Sequence, residues 1–342
     1  MAIDEKSTSI NDYIEFETEH GRTRVLAQTL KRFRELEGII FDIDGVLLDV
    51  SDSIKQVHRQ AVGLYLSSKG WTRTQNLVNV GDVDALRLAG GFNSDWDMGE
   101  AIVKLYLFKR LLYQESDGEV LRKLCPSLQE YAEEIITRGS GLPAADEVIE
   151  KRCNDAEWKD IRSRFDRQLL ERLFMEVYSG DLCREVYGFP AETFRGPGLI
   201  HQDRPLLNTK LIPDGVRIGI ATGRTGGETA MTLKLMEWND IFPPNAIVTE
   251  DDGFKKPDPG ILRLASERIG TDKNIYIGDT PDDLRTVRQY DTSEQKMLAC
   301  TVLSGLDAPS LAERFMDQKS DMIADNVNAA LEAIERCMGG LI

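Results

Sequence analysis

Two carboxylates, Asp42 and Asp44, stand two residues apart at the end of the apolar run GIIFDID, with Gly45 directly after them. On an extended chain, residues two apart point the same way. Like charges so placed are unfavourable unless a cation lies between them or one is protonated. Either outcome is chemically useful, because one carboxylate can attack as a nucleophile while the other gives and takes a proton. The plain alternative is a pair of strand-end aspartates that satisfies loop amides. Three more polar sets follow later in the chain. Ala221-Thr222-Gly223-Arg224 offers a hydroxyl, backbone amides freed by a glycine, and a guanidinium, all of which could receive phosphate oxygens; a simple tight turn is the alternative. In Lys255-Lys256-Pro257-Asp258-Pro259 the prolines fix the backbone, so Lys256 is expected to start a helix from a rigid loop and to hold an ammonium against developing negative charge. An ordinary proline-initiated helix with solvated lysines would look the same. In Gly278-Asp279-Thr280-Pro281-Asp282-Asp283, Asp279 and Asp283 could reach one cation, and Asp282 is expected to cap the next helix.

These sets need elements to hold them. Near-continuous apolar runs at 38–44, 216–222, 245–251, 274–280 and 296–305 read as strands buried on both faces of a parallel sheet. Helical patterns separate the last four. The expected fold is therefore α/β, a doubly wound, Rossmann-like, five-stranded parallel sheet. Ligands in such sheets bind beyond the carboxyl ends of the strands, where the four polar sets fall. About 170 residues separate the first run from the second, and they carry helical spacing with no convincing strand. Residues 51–205 are thus expected to form a large all-helical cap inserted into a core of 38–50 and 206–342. Glycine joints occur in it at Gly90-Gly91 and at Gly139-Ser140-Gly141. Residues 1–37 read as an N-terminal extension with a helix near 23–36.

The net charge is −16, a field that repels nucleic acid and anionic membranes. It also disfavours phosphate esters, so a phosphate-handling site would need local positive charge, for which a divalent cation is the economical source. No stretch approaches the length of apolar sequence that spans a membrane, and the polar start lacks a signal peptide, so a cytoplasmic protein is expected. Five cysteines without a CxxC pair and three scattered histidines fit reduced thiols rather than a zinc site.

In order and placement, DIDGV, Thr222, Lys256 and GDTPDD resemble the haloacid dehalogenase superfamily, over residues 38–50 and about 205–330. KPDP and GDTPDD look like its subfamily IA, with a helical cap after the first motif. LRLAGGFNSDWDMGEAI and the stretch through GLIHQDRPLL look like a less characterised branch, sometimes labelled by analogy with histidine-biosynthesis enzymes. The resemblance implies a phosphatase that forms an aspartyl-phosphate on Asp42. Asp44 would be the acid/base, lending its carbonyl to the metal, and Lys256 would pair with Asp42. Thr222, with Gly223 and Arg224, would bind phosphate. Mg2+ would be held by Asp42, Asp44 and Asp279, with Asp283 in support. The substrate would be a small phosphorylated metabolite. Candidate recognition residues in the cap are Asn93, Asp95, Trp96, Arg195 and His201, each of which could equally serve structure alone. A phosphomutase would carry the same motifs, whereas a dehalogenase would need neither Asp44 nor Asp279. A catalytically inactive binding protein is the remaining alternative.

Overall fold

The computed structural model describes residues 12–92, 94–290, 297–305 and 310–341. The chain divides into two compact units, one formed by 1–49 with 204–342 and the other by 50–203. In the first unit, strands β1 (Tyr13–Thr18), β2 (Gly21–Leu26), β3 (Gly38–Phe41), β6 (Arg217–Ala221), β7 (Ile247–Val248), β8 (Asn274–Gly278), β9 (Leu298–Val302) and β10 (Met322–Ala324) form one sheet in the order β1-β2-β10-β9-β8-β3-β6-β7. The six strands from β10 to β7 are parallel. β3 is central, with Ile40 opposite Gly219 on β6 and Tyr276 on β8. Every residue of β3, β8 and β9 is buried, which explains their unbroken apolar sequences. The unit's helices are α1 (Leu30–Phe33), α11 (Gly226–Leu235), α12 (Gly260–Ile269), α13 (Pro281–Tyr290), α14 (Leu311–Asp317) and α15 (Val327–Met338). The fold is the expected doubly wound α/β sheet, with the first strand at its centre and chain reversal on either side of it.

The sheet is wider than the five strands read from sequence. β10 is three residues long, too short to stand out. The expected helix near 23–36 is not found. Residues 21–26 form β2, and the α-helix is confined to Leu30–Phe33. β1 and β2 make a hairpin with Thr18 opposite Gly21, and β2 runs antiparallel to β10. The hairpin's alternation of Glu15, Glu17, Arg22 and Arg24 with Phe16, Thr23 and Val25 is the period-two signal of a strand with one face on solvent. It covers an edge the parallel strands would otherwise expose.

The short strands β4 (Leu48–Asp49) and β5 (Arg204–Pro205) pair antiparallel and bracket the second unit. That unit is made of helices α2 (Ile54–Ser68), α3 (Val80–Ala89), α4 (Asp95–Tyr113), α5 (Gly118–Lys123), α6 (Leu128–Arg138), α7 (Gly141–Glu150), α8 (Asp155–Arg164), α9 (Arg167–Ser179) and α10 (Cys183–Tyr187). Its described residues contain no strand. α4 is the axis: it is buried from Met98 to Lys109 and packs against α2, α5, α7, α8 and α9. Capping boxes at Asn79/Asp82, Ser127/Glu130 and Asn154/Glu157 start three of the helices. No helix among the described residues is long and apolar enough to cross a membrane.

The glycine joints of this unit meet each other. The Gly141 N–H donates to the Gly90 carbonyl at 2.8 Å, and a Cβ on Gly141 would lie 2.0 Å from the Gly91 oxygen. Gly141 also has φ +67°. The α3–α4 turn is thus locked onto the α6–α7 turn. Gly141→Ala is expected to cost the helical unit about 2 kcal/mol or more, seen as a lowered melting temperature by calorimetry; an unchanged melting temperature would contradict the lock.

Candidate active site

Asp42 extends β3 by one residue, its N–H donating to the Ile277 carbonyl of β8 at 2.9 Å. The ladder therefore fixes where its side chain leaves the sheet. The residue is 5% exposed, and its carboxylate lies 2.9 Å from the Lys256 ammonium. The same ammonium is 2.7 Å from Asp283 Oδ1. Asp283 gathers further donors: its Oδ2 accepts from the Asp279 N–H at 3.1 Å, the Thr280 N–H at 2.9 Å and the Thr280 hydroxyl at 2.7 Å. Its Oδ1 also lies 3.0 Å from the Tyr276 hydroxyl.

This unequal sharing sets the electrostatics. Burial alone would raise Asp283, but Lys256 and the Thr280 donors hold it below its ordinary value. Burial would lower Lys256, and Asp283 and Asp42 more than offset that. Asp42 has fewer donors. Burial pushes it up to about 6 against the pull of Lys256, with Asp283 and Asp44 adding to the rise. Burial first and then Asp283 push the Tyr276 phenol well above its usual value, so it remains a donor.

Asp44 is gripped by Arg224. Oδ1 receives Nη2 at 2.6 Å and Nε at 3.0 Å, whereas Oδ2 has a longer contact with Nε at 3.2 Å. The guanidinium is buried and also donates to the Thr232 hydroxyl of α11. Arg224, expected from sequence to receive phosphate, is committed to the second carboxylate. Thr222 is buried, and its hydroxyl oxygen accepts the Arg224 N–H at 3.2 Å, which leaves the hydroxyl proton for an incoming oxygen. Gly223 is exposed, with open space where a Cβ would lie.

Asp279 is fully buried at the end of β8. Ligand oxygens of Asp42, Asp279 and Asp283 all lie within 4.8 Å of one another. Two glycines make room for Asp279. A Cβ on Gly45, at φ +75°, would sit 2.3 Å from its Oδ2, and one on Gly305 would sit 1.8 Å away. Gly305 follows β9, and its neighbour Ser304 donates to the Gly45 carbonyl at 2.8 Å. The donor set is all oxygen, which suits a hard divalent cation. With all four aspartates ionised, Lys256 and Arg224 leave two negative charges, the charge of one such ion. Asp283, already saturated by protein donors, is placed to brace the set rather than to complete it.

Sequence reasoning had no role for Tyr276, Ser304 or Gly305. Only the glycine closing the LSG stretch after β9 signalled the last pair. Two local expectations need correction. Lys256 lies in the loop before α12, which starts at Gly260, because Pro259 is the residue that enters the helix. Thr280, not Asp282, caps α13: its hydroxyl accepts the Asp283 N–H, while Asp282 pairs with Arg285. Gly305→Ala must displace the Asp279 carboxylate. It is expected to abolish any rise in melting temperature on adding magnesium, and a variant that keeps the wild-type rise would contradict the cradle.

The helical unit's candidates have internal partners or lie on its surface. Asp95 Oδ1 is 3.0 Å from Nε2 of the fully buried His58, and Trp96 packs edge-to-face on Phe174 with centroids 5.7 Å apart. Arg195 and His201 are exposed. Asn93 lies outside the described residues.

A family model described as haloacid dehalogenase-like hydrolase matches residues 207–294. No curated protein matches the chain. Among solved structures, a structural-genomics target determined by X-ray superposes with TM-score 0.60 at 18% identity, covering 89% of this chain and all of that one. Phosphatase Tt82 from Thermococcus thioreducens superposes with TM-score 0.52 at 22% identity, covering 83% of this chain and all of that one. At such identities the likeness is one of fold. The family match spans the stretch that carries Thr222, Lys256, Asp279 and Asp283, and the solved structures share this chain's fold.

Proposed function

We propose that the chain is a magnesium-dependent phosphatase that hydrolyses a small phosphorylated metabolite through an aspartyl-phosphate on Asp42. The observation that carries this reading is a buried carboxylate at the end of the central strand, short of donors and sharing one ammonium with a better-supported neighbour. Such a group is a nucleophile whose charge awaits a partner. Asp42 Oδ attacks phosphorus in line, forming a P–O bond as the bond to the leaving oxygen breaks. Asp44 supplies the proton to that oxygen. Its two oxygens divide the work: Oδ1 anchors the group on Arg224, and Oδ2, with one longer contact, carries the proton. Asp44 then takes a proton from water as the water attacks phosphorus, and phosphate leaves as Asp42 is regenerated. Thr222 donates to a phosphoryl oxygen, and Lys256 offsets the charge gathering on Asp42 and the transferring group. A bound magnesium ion, held by Asp42, Asp279 and the Asp44 carbonyl, would supply Lewis-acid neutralisation of the phosphoryl oxygens. Substrate choice is assigned to the helical unit, the subfamily IA role of a cap.

The test is phosphate release from a panel of phosphorylated metabolites. Release should depend on magnesium, stop in excess chelator and return on repletion. Turnover in chelator equal to that with magnesium would overturn the metal assignment. Transfer to a second hydroxyl instead of water would make the enzyme a phosphomutase.

The metal requirement has a pH signature. Asp42 sits at about 6 in the folded, metal-free chain against an ordinary 3.8. Its folded-state value is raised, so its contribution to stability is full below about 3.8 and is lost as pH rises through 6. A cation that takes the proton's place restores it. The magnesium-induced rise in melting temperature should be small at pH 5 and larger at pH 7.5. A rise that shrinks with pH would contradict this.

A further inference from the structure

Tyr276 occupies the middle of β8, and its hydroxyl faces two acceptors at once. It lies 3.1 Å from the Ala221 carbonyl, the residue before Thr222 on β6, and 3.0 Å from Asp283 Oδ1. The side chain thus spans from β8 past the central β3 to β6. Its ring lies beneath Lys256, 5.4 Å from the ammonium. A phenol has one proton, so it can serve only one of these acceptors at a time.

Asp283 decides which. Its Oδ2 is filled by three donors, so any change in its surroundings is felt at Oδ1, which meets Lys256 and Tyr276. While Lys256 rests between Asp42 and Asp283, Oδ1 is satisfied and the phenol can donate to Ala221. Once Asp42 carries a phosphoryl group, negative charge grows on the Asp42 side and draws the ammonium that way. Oδ1 is then left short in a buried site, where an unmet carboxylate is costly. Rotation of the phenol O–H from Ala221 to Asp283 meets that need with no heavy-atom movement.

We propose that Tyr276 is a positioning residue for the phosphatase reaction, a hydroxyl that takes over Asp283 as Lys256 turns to the transferring phosphoryl group. The inference rests on the phosphatase reading above and on this chain's Lys256–Asp283–Tyr276 geometry.

Tyr276→Phe keeps the ring, its packing and its contact with the ammonium, and removes only the hydroxyl. With p-nitrophenyl phosphate and magnesium, kcat is expected to fall about tenfold, the value of one hydrogen bond to a charged group, while KM stays within about twofold. In an Asp283→Asn background the same change should cost nothing further, because the neutral amide does not need the bond. Three results would overturn the assignment: an unchanged kcat in a folded variant, a loss that persists in full beside Asp283→Asn, or a Tyr276→Phe chain that unfolds at assay temperature, which would make the bond structural. A wild-type chain that turns over no phosphoester would instead overturn the phosphatase reading, and this role with it.

Discussion

One ammonium serves two buried carboxylates. Lys256 stands between Asp42 and Asp283, and the two acids are not equal competitors for it. Asp283 adds donors from Asp279, Thr280 and Tyr276, so its charge is secure whether or not the lysine leans away. Asp42 has no such set and stays under-neutralised at the end of the central strand. A nucleophile poised for an electrophilic phosphorus requires that imbalance. A site with equal support for both acids would hold two inert ion pairs.

The fold exists around that inequality. β3 is central, so β8 can bring Asp279 and the turn to Asp283 from one side while β6 brings Thr222 and Arg224 from the other. Asp42, Thr222 and Asp279 are carried just beyond strand ends, and ladder bonds from the Asp42 N–H to Ile277 and from the Thr222 N–H to Val248 fix two of the exits. The site's second cation, the buried Arg224, is spent on Asp44 rather than on Asp42. This segregation anchors Asp44 chiefly by one oxygen and leaves Asp42 to the lysine. A chain of net charge −16 has little positive charge to spare. The structure places two of its cations at the site, one for each of the two front aspartates.

What could be read from the sequence followed from how strands end. An apolar run closing on a short polar cluster marks a buried parallel strand and its site residues together, and Asp42, Thr222 and Asp279 were visible for that reason. Groups whose role depends on distant partners were not. Arg224 reads as an anion receptor because nothing local ties it to a carboxylate 180 residues earlier. Tyr276 looks like any aromatic in a strand, since its meaning lies in a hydroxyl that reaches across two neighbours. The expected helix near 23–36 overlaps the end of β2 because Thr23, Arg24 and Val25 run directly into LAQTLKRFREL, and the one-turn α1 that does form there is too short to set a helical period. In the helical unit the sequence shows glycine joints without their reason, which is that Gly91 and Gly141 lie where two turns press together.

The central claim is that Asp42 carries the phosphoryl group. Asp44→Asn keeps the shape of the site but cannot activate water, so it should slow the second half-reaction more than the first when the leaving group needs little protonation. The variant is mixed with magnesium and p-nitrophenyl phosphate, quenched in acid, digested and mapped by mass spectrometry. The account expects one phosphoryl group on the peptide that contains Asp42, absent when Asp42→Asn is added. A phosphoryl group on another residue, or wild-type turnover by Asp42→Asn, would contradict it.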